Sequence, residues 1–370
     1  MHTKFGLFLS GKLFPMLFLL LSIALTGFTA FFTAETAKWV FDTKWVSWII
    51  YPLYAVSAFV ILYPRKWENT FIRKFLNLLR CFSLYYALLI IPCVILASMP
   101  FVPDMLKAVL VFLPIPVGIA IVARGYWNTG KIETTRYDIS LGETGKSYRI
   151  ALLSDIHMGA YVRSRHIMKM VQTIKSIKPD LVVISGDLFD VSNGILDDRT
   201  ELRNISHLLR KIKVKDGVYA VLGNHDPSVT DSRMRRFLKD SRIRLLDNQM
   251  VELSDILLVG RTDEGNNVRL SWEETVTCNS RKPMVVLDHK PHGIDEASKH
   301  GATLVLSGHT HQGQFFPITY FTKLANGKQY FYGLNKNDAT YGITTSGVGF
   351  FELPMRLGTR NEIVDIHLEL

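Results

Sequence analysis

Four apolar stretches without a single charge precede residue 125, and their lengths constrain what the first third of the chain can be. They run Leu13–Phe32 (20 residues), Trp45–Tyr63 (19), Cys81–Pro103 (23) and Ala108–Ala123 (16). A helix needs about 20 apolar residues to cross the hydrocarbon core, so the first three qualify. The fourth is short and carries Pro114 and Pro116, although Lys107 can snorkel and extend it. A cleaved leader competes for the first stretch, since Lys4 and Lys12 precede it. Its apolar core is too long for that, and further spans follow. Residues 1–124 are expected to form a helical transmembrane region of about four spans.

Basic residues orient such spans. Arg65, Lys66, Arg73, Lys74 and Arg80 separate the second stretch from the third, and Arg124, Lys131 and Arg136 follow the fourth. The loop after the first stretch holds only Lys38 and Lys44, and the one after the third only Lys107. Four spans then place everything after residue 124 in the cytoplasm, making this a multi-pass protein of the cell membrane. "NTFIRKFLNLL", Asn69–Leu79, reads either as a short amphipathic helix on the inner leaflet or as a basic loop that sets topology. No charge lies inside a span, so a channel or transporter has no residue to support it. Three cysteines without pairing or zinc-type spacing ask for no oxidising compartment.

From residue 131 the pattern becomes globular, and a second domain is expected over 131–370. "TRYDISL" and "YRIALLSDIH" read as strands flanking a turn. "DLVVISGDL", "GVYAVLGNHD", "MVVLDHKP" and "TLVLSGHTH" share one layout, an apolar run ending in polar residues able to bind metal. Such runs suit strands buried on both faces, with chemistry at their carboxyl ends. "SRHIMKMVQTIKSI" and "ELRNISHLLRKI" space apolar residues three and four apart, as helices do. The class is α/β with mixed sheets.

The polar ends are Asp155-Ile156-His157, Gly186-Asp187-Leu188-Phe189-Asp190, Gly223-Asn224-His225-Asp226, Asp288-His289 and Gly308-His309-Thr310-His311. Mixed carboxylate, amide and imidazole donors suit two borderline divalent ions rather than a thiolate-bound structural zinc. The ordered set D-x-H, G-D-x-x-D, G-N-H-D, lone H and G-H-x-H resembles the calcineurin-like binuclear metallophosphoesterases, over roughly residues 148–350. The resemblance implies a four-layer α-β-β-α sandwich and a hydroxide that attacks phosphorus. Asp155, His157 and His311 would hold one ion, Asn224, His289 and His309 the other, and Asp187 would bridge them. Manganese, iron and zinc all fit such ligands. His225 would act at the leaving group, oriented by Asp190.

Other residues carry competing readings. Asp226 is expected to cap the following helix, and Asp288 stays open. Arg356 reads as a salt-bridge residue or as a contact to substrate phosphate. "YVRSRHIMK" and "SRMRRFLKDSRIR" are either solvated helix faces or surfaces that meet anionic head groups. The net charge of +10 fits an anionic partner. These arginines lack interleaved aromatics, which argues against nucleic acid. The expected substrate is a phosphate ester or pyrophosphate, and the membrane region suggests a lipid-linked one. A UDP-diacylglucosamine-type pyrophosphohydrolase of lipid A synthesis and a non-catalytic membrane scaffold are the alternatives.

Overall fold

The computed structural model describes residues 70–370 apart from 142–144, 191–193, 264–267 and 279, and before residue 70 only 23–24, 27–32, 34–35, 38, 47–48 and 51–52. Two compact units result: Met1–Trp127 with Glu352–Met355, and Asn128–Phe351 with Arg356–Leu370.

In the first unit α1 spans Thr70–Ala97, α2 Asp104–Phe112 and α3 Pro114–Thr129. Among the described residues two segments are long and apolar enough to cross a membrane, Arg73–Ala97 and Asp104–Thr129. The expected spans at 13–32 and 45–63 lie largely outside the described residues. The third and fourth expected spans match these two segments with shifted bounds. Pro114 and Pro116, which shorten the fourth on paper, fall in the first turn of α3, where a missing N–H costs nothing. The separate amphipathic helix at Asn69–Leu79 does not form. Its residues from Thr70 onward are the start of α1, because no glycine or proline interrupts the chain before Pro92.

The second unit is a sandwich of two six-stranded sheets. In chain order its elements are β1 (Glu133–Ser140), β2 (Ser147–Leu153), α4 (Ser164–Ile177), β3 (Leu181–Ser185), α5 (Arg199–Leu209), β4 (Val218–Val221), α6 (Ser232–Ser241) and β5 (Ile243–Leu245). There follow β6 (Gln249–Glu252), β7 (Leu257–Arg261), α7 (Trp272–Thr275), β8 (Met284–Asp288), α8 (Ile294–Lys299), β9 (Leu304–Ser307), α9 (Ile318–Asn326), α10 (Lys328–Phe331), β10 (Gly333–Asn337), β11 (Thr340–Thr344) and β12 (Glu362–Glu369). The strand orders are β1-β12-β2-β3-β4-β5 and β10-β11-β9-β8-β7-β6. Within the first sheet β2 to β5 run parallel, and within the second β7, β8, β9 and β11 do.

Alternation within the apolar runs sorts side chains to the two faces of each sheet. Ile150, Leu152, Leu181 and Val183 face Leu258, Leu287, Leu304 and Leu306 between the sheets. Ala151, Leu153, Val182 and Ile184 turn outward to α4, α5 and α6, whose Ile167, Met170, Ile205 and Phe237 cover them. On the other side Val259, Val286 and Val305 pack with Trp272, Ile294 and Ala297. Helix, sheet, sheet and helix thus make four layers.

Strands consecutive in the chain are not always neighbours in the sheet. β1 and β2 do not pair, because the C-terminal β12 lies between them, parallel to β1 and antiparallel to β2. Arg149 on β2 fixes this placement with two hydrogen bonds, 2.8 and 2.6 Å, to the buried Asp365 carboxylate on β12. Ile366 on β12 is fully buried between the sheets. Ile366→Ala should lower unfolding stability by about 2–5 kcal/mol, measured by denaturant titration of the full chain, since such a cavity cannot fully collapse.

Candidate metal centre

Every expected ligand lies at the carboxyl end of a parallel strand, just after β2, β3, β4, β8 or β9. Because β2, β3 and β4 are neighbours in one sheet and β8 and β9 in the other, the stacked sheets bring all five ends together. Asp155, His157 and His311 offer donor atoms within 4.8 Å of one another, and so do Asp155, Asp187 and His289.

His157 Nε2 lies 3.1 Å from His311 Nε2, which in turn is 3.4 Å from Asp155 Oδ1. On the other side His289 Nε2 is 3.2 Å from Asn224 Oδ1, and the His309 ring packs edge-on to the His289 ring at 5.1 Å. Asp187 Oδ2 sits between the halves, 3.2 Å from His289 Nε2 and 3.7 Å from His157 Nε2. The structure therefore gathers all seven expected ligands in one place.

The donor set fits cations. Burial pushes His157 and His309 down to about 3, so both imidazoles stay neutral with lone pairs free. The Nδ1 atoms of His157 and His311 are buried without a hydrogen-bond partner among the described residues. His289 differs. Its Nδ1 lies 2.8 Å from the Ser185 carbonyl, which as acceptor fixes a proton on Nδ1 and aims Nε2 at Asp187. Burial disfavours charge on His289, but Asp187 outweighs it and pushes the ring up to about 10. Burial raises Asp155 to about 6. Buried carboxylates facing lone pairs are costly unless a positive charge is shared among them.

The backbone is strained to achieve this. Asp155, His157, Asp187, His309 and His311 all have φ between +49° and +70°, a region that non-glycine residues rarely enter. Two glycines allow the approach. A Cβ on Gly308 would stand 1.9 Å from Ser154 Oγ and 2.2 Å from Asp155 Oδ2, and one on Gly223 would meet Asp187 Oδ1 at 2.2 Å. Close approach to Ser154 and Asp155 is what requires a glycine at 308.

A model of the calcineurin-like phosphoesterase family matches residues 148–313. A metallophosphoesterase of Helicobacter pylori is 30% identical over 281 residues, 72% of this chain and 73% of that protein. The chain belongs to the calcineurin-like phosphoesterase family. A "Transmembrane protein with metallophosphoesterase domain" from Danio rerio is 32% identical over 247 residues, 62% of this chain. The chain spans only 55% of that relative's length. The Bacillus subtilis metallophosphoesterase YkuE is 28% identical over 258 residues, 64% of this chain and 86% of its own.

Around this phosphoesterase site several residues act otherwise than expected. Asp226 does not cap a helix; Asp231 caps α6, accepting from the Arg233 and Met234 amides. The buried Asp226 instead accepts from the Gly223 and Phe189 amides, both at 2.8 Å, and braces the loops of β4 and β3 together. Arg356 makes neither the expected salt bridge nor a surface for phosphate. Fully buried, it donates to the carbonyls of His311 (2.9 Å), Ser346 (2.7 Å) and Gly349 (2.6 Å) and to Asn361 Oδ1 (2.8 Å). Asp288 pairs with Arg269 at 2.6 Å. Among the basic stretches, Arg233 is engaged by Asp197 and Asp231, and Arg163 by Asp198.

Phe351 was not foreseen. Its ring lies 4.4 Å from that of His225 and 5.2 Å from that of His157. The signal available was the glycine pair before it, since Gly347 and Gly349 approach Asp155 and Ile156 too closely for a Cβ. The resolved contacts of His225 are with Phe351, His157 and, through its amide, Asp187 Oδ1 at 2.9 Å, while the Asp190 amide donates to Met158.

Gly308→Ala should cut the metal content of purified protein at least tenfold, read by elemental analysis. The added methyl must displace Asp155 or Ser154 (about 10–100-fold is typical for disturbing a ligand's support).

Proposed function

We propose that this chain is a membrane-anchored metallophosphoesterase that hydrolyses a phosphate ester or pyrophosphate bond on a lipid-linked substrate. The observation that carries the reading is the Asp187 carboxylate, one oxygen set between His289 and His157, where a single residue can serve two sites. Asp155, His157 and His311 would hold one divalent ion, Asn224, His289 and His309 a second, with Asp187 shared. Manganese, iron or zinc bound there supplies a water acidified toward hydroxide and neutralises charge growing on the phosphoryl oxygens.

The chain's own groups do the rest. His225 is half-exposed beside the buried ligands, which suits a residue meeting the leaving oxygen. Its ring rests on Phe351, so it cannot swing away freely. In this reading it donates a proton to the departing oxygen, and Asp190 orients it. The non-catalytic scaffold predicts lost ligands, and here all seven expected positions are filled.

The domains are read as a membrane region, 1–124, and a catalytic domain, 131–370. Arg73, Lys74 and Arg80 lie at one end of the described pair of spans, and Arg124, Lys131 and Arg136 at the other. Basic residues toward both outer ends support a cytoplasmic side for them and for the catalytic domain. Tethering concentrates an enzyme with substrates embedded in the same bilayer, which favours a lipid carrier.

Two substitutions test the site with a soluble aryl phosphodiester. Asp187→Asn should reduce turnover to background and deplete metal; unchanged turnover would remove the shared-ligand role. His225→Ala should lower kcat by about 10²–10⁴-fold with metal content near normal, the range for losing a general acid. Loss of metal in that variant would make His225 a ligand instead.

A further inference from the structure

Helix α9 follows the ligand loop at once and has no buried residue. Phe316 (55% exposed), Tyr320 (60%), Phe321 (58%) and Leu324 (58%) stand out to solvent. Tyr320, Phe321 and Leu324 are spaced one, three and four apart and so share one helix face. A soluble surface rarely gathers so many large apolar groups without a partner.

Along the chain, the charge of this segment is one-sided. From Gln312 to Asn337 the chain has no acidic residue, but it carries Lys323, Lys328 and Lys336. Exposed aromatic rings on a segment whose only charges are lysines suit the boundary between anionic head groups and acyl chains, where Tyr and Phe bury their rings and ammonium groups meet phosphate.

The segment made of α9 and α10 is fixed to the metal loop at both ends. The Thr319 amide donates to the Phe315 carbonyl at 3.1 Å, and a Cβ on Gly313 would meet Thr319 Cα at 2.4 Å. At the far end Thr310 Oγ1, between His309 and His311, donates to the Phe331 carbonyl at 2.7 Å. Gln314 pairs its amide with the backbone of Phe351 in both directions, at 2.8 and 3.1 Å. Whatever α9 rests on is held at a set distance from His309 and His311.

We propose that Phe316 and α9 form an interfacial foot that seats in an anionic bilayer and presents the metal loop to phosphate groups at the membrane surface. The inference rests on the reading of the site as a phosphoesterase for lipid-linked substrates, and it supplies the route by which such a substrate arrives.

The test uses the full chain with Cys81→Ala, Cys93→Ala and Cys278→Ser, reconstituted in phosphatidylethanolamine–phosphatidylglycerol vesicles. An environment-sensitive dye is attached at Phe321→Cys, or at Tyr320→Cys as a second position. The reference is Lys213→Cys, exposed before β4 at the end of the sheet opposite the ligands. Brominated phosphatidylglycerol should quench the dye at 321 and at 320 at least about twofold more than at 213, as for a side chain seated below the head groups. Equal quenching overturns the foot. A blue-shifted dye that brominated lipid does not quench overturns it too, and assigns the face to a protein partner or a second copy. Hydrolysis is read separately on the soluble aryl phosphodiester. If quenching holds and no phosphate ester is hydrolysed, the enzymatic reading fails alone; if hydrolysis holds without quenching, only the foot fails.

Discussion

One carboxylate oxygen organises this molecule. Asp187 Oδ2 lies between two imidazole nitrogens, 3.2 and 3.7 Å away, with Asp155 and the remaining imidazoles behind them. Lone pairs and carboxylates buried this closely repel one another unless positive charge sits among them. His289 supplies one such charge beside Asp187, while the neutral His157 and His309 leave donors suited to cations, and the local structure serves this arrangement. Five ligands accept left-handed backbone, and glycines stand wherever a methyl would push two loops apart.

Such strain persists only on a stiff support. The support is the pair of sheets, whose facing side chains form one continuous core and whose strands carry the ligands at their ends. Charged and polar groups then tie the loops to each other. Arg356 gathers three carbonyls and an amide oxygen around its guanidinium, one of them the His311 carbonyl. Asp226 does the same for two amides under the loops of β3 and β4. Neither residue needs to touch a phosphate to matter. Each holds a ligand-bearing loop where the sheet alone would leave it loose.

The apolar helices follow a different logic. α1 is uncharged from Cys81 onward and the α2–α3 pair is uncharged between Lys107 and Arg124, lengths that suffice to cross a membrane. α9 is apolar on one face only and edged by lysines, the pattern of a helix that lies at a surface. In the proposed reading the first kind of helix keeps the chain at a bilayer and the second orients its site there.

Much of this was legible in the residues alone. The apolar runs with polar ends disclosed buried parallel strands, and the limits of α4 could be read directly, because period and composition act over a few neighbouring residues. The ordered ligand blocks disclosed the metal chemistry, since few donor sets mix Asp, Asn and His in this way. What depended on pairing at long range was not legible. Insertion of β12 between β1 and β2 joins residues more than 200 positions apart, Arg149 to Asp365 among them. The buried roles of Arg356 and Asp226 and the contact of the Phe351 ring with His225 also come from distant loops meeting. Local sequence determined which groups could bind metal; only the stacking of two sheets decided that they meet, because convergence is a property of strand order, and strand order is settled by burial across the whole domain.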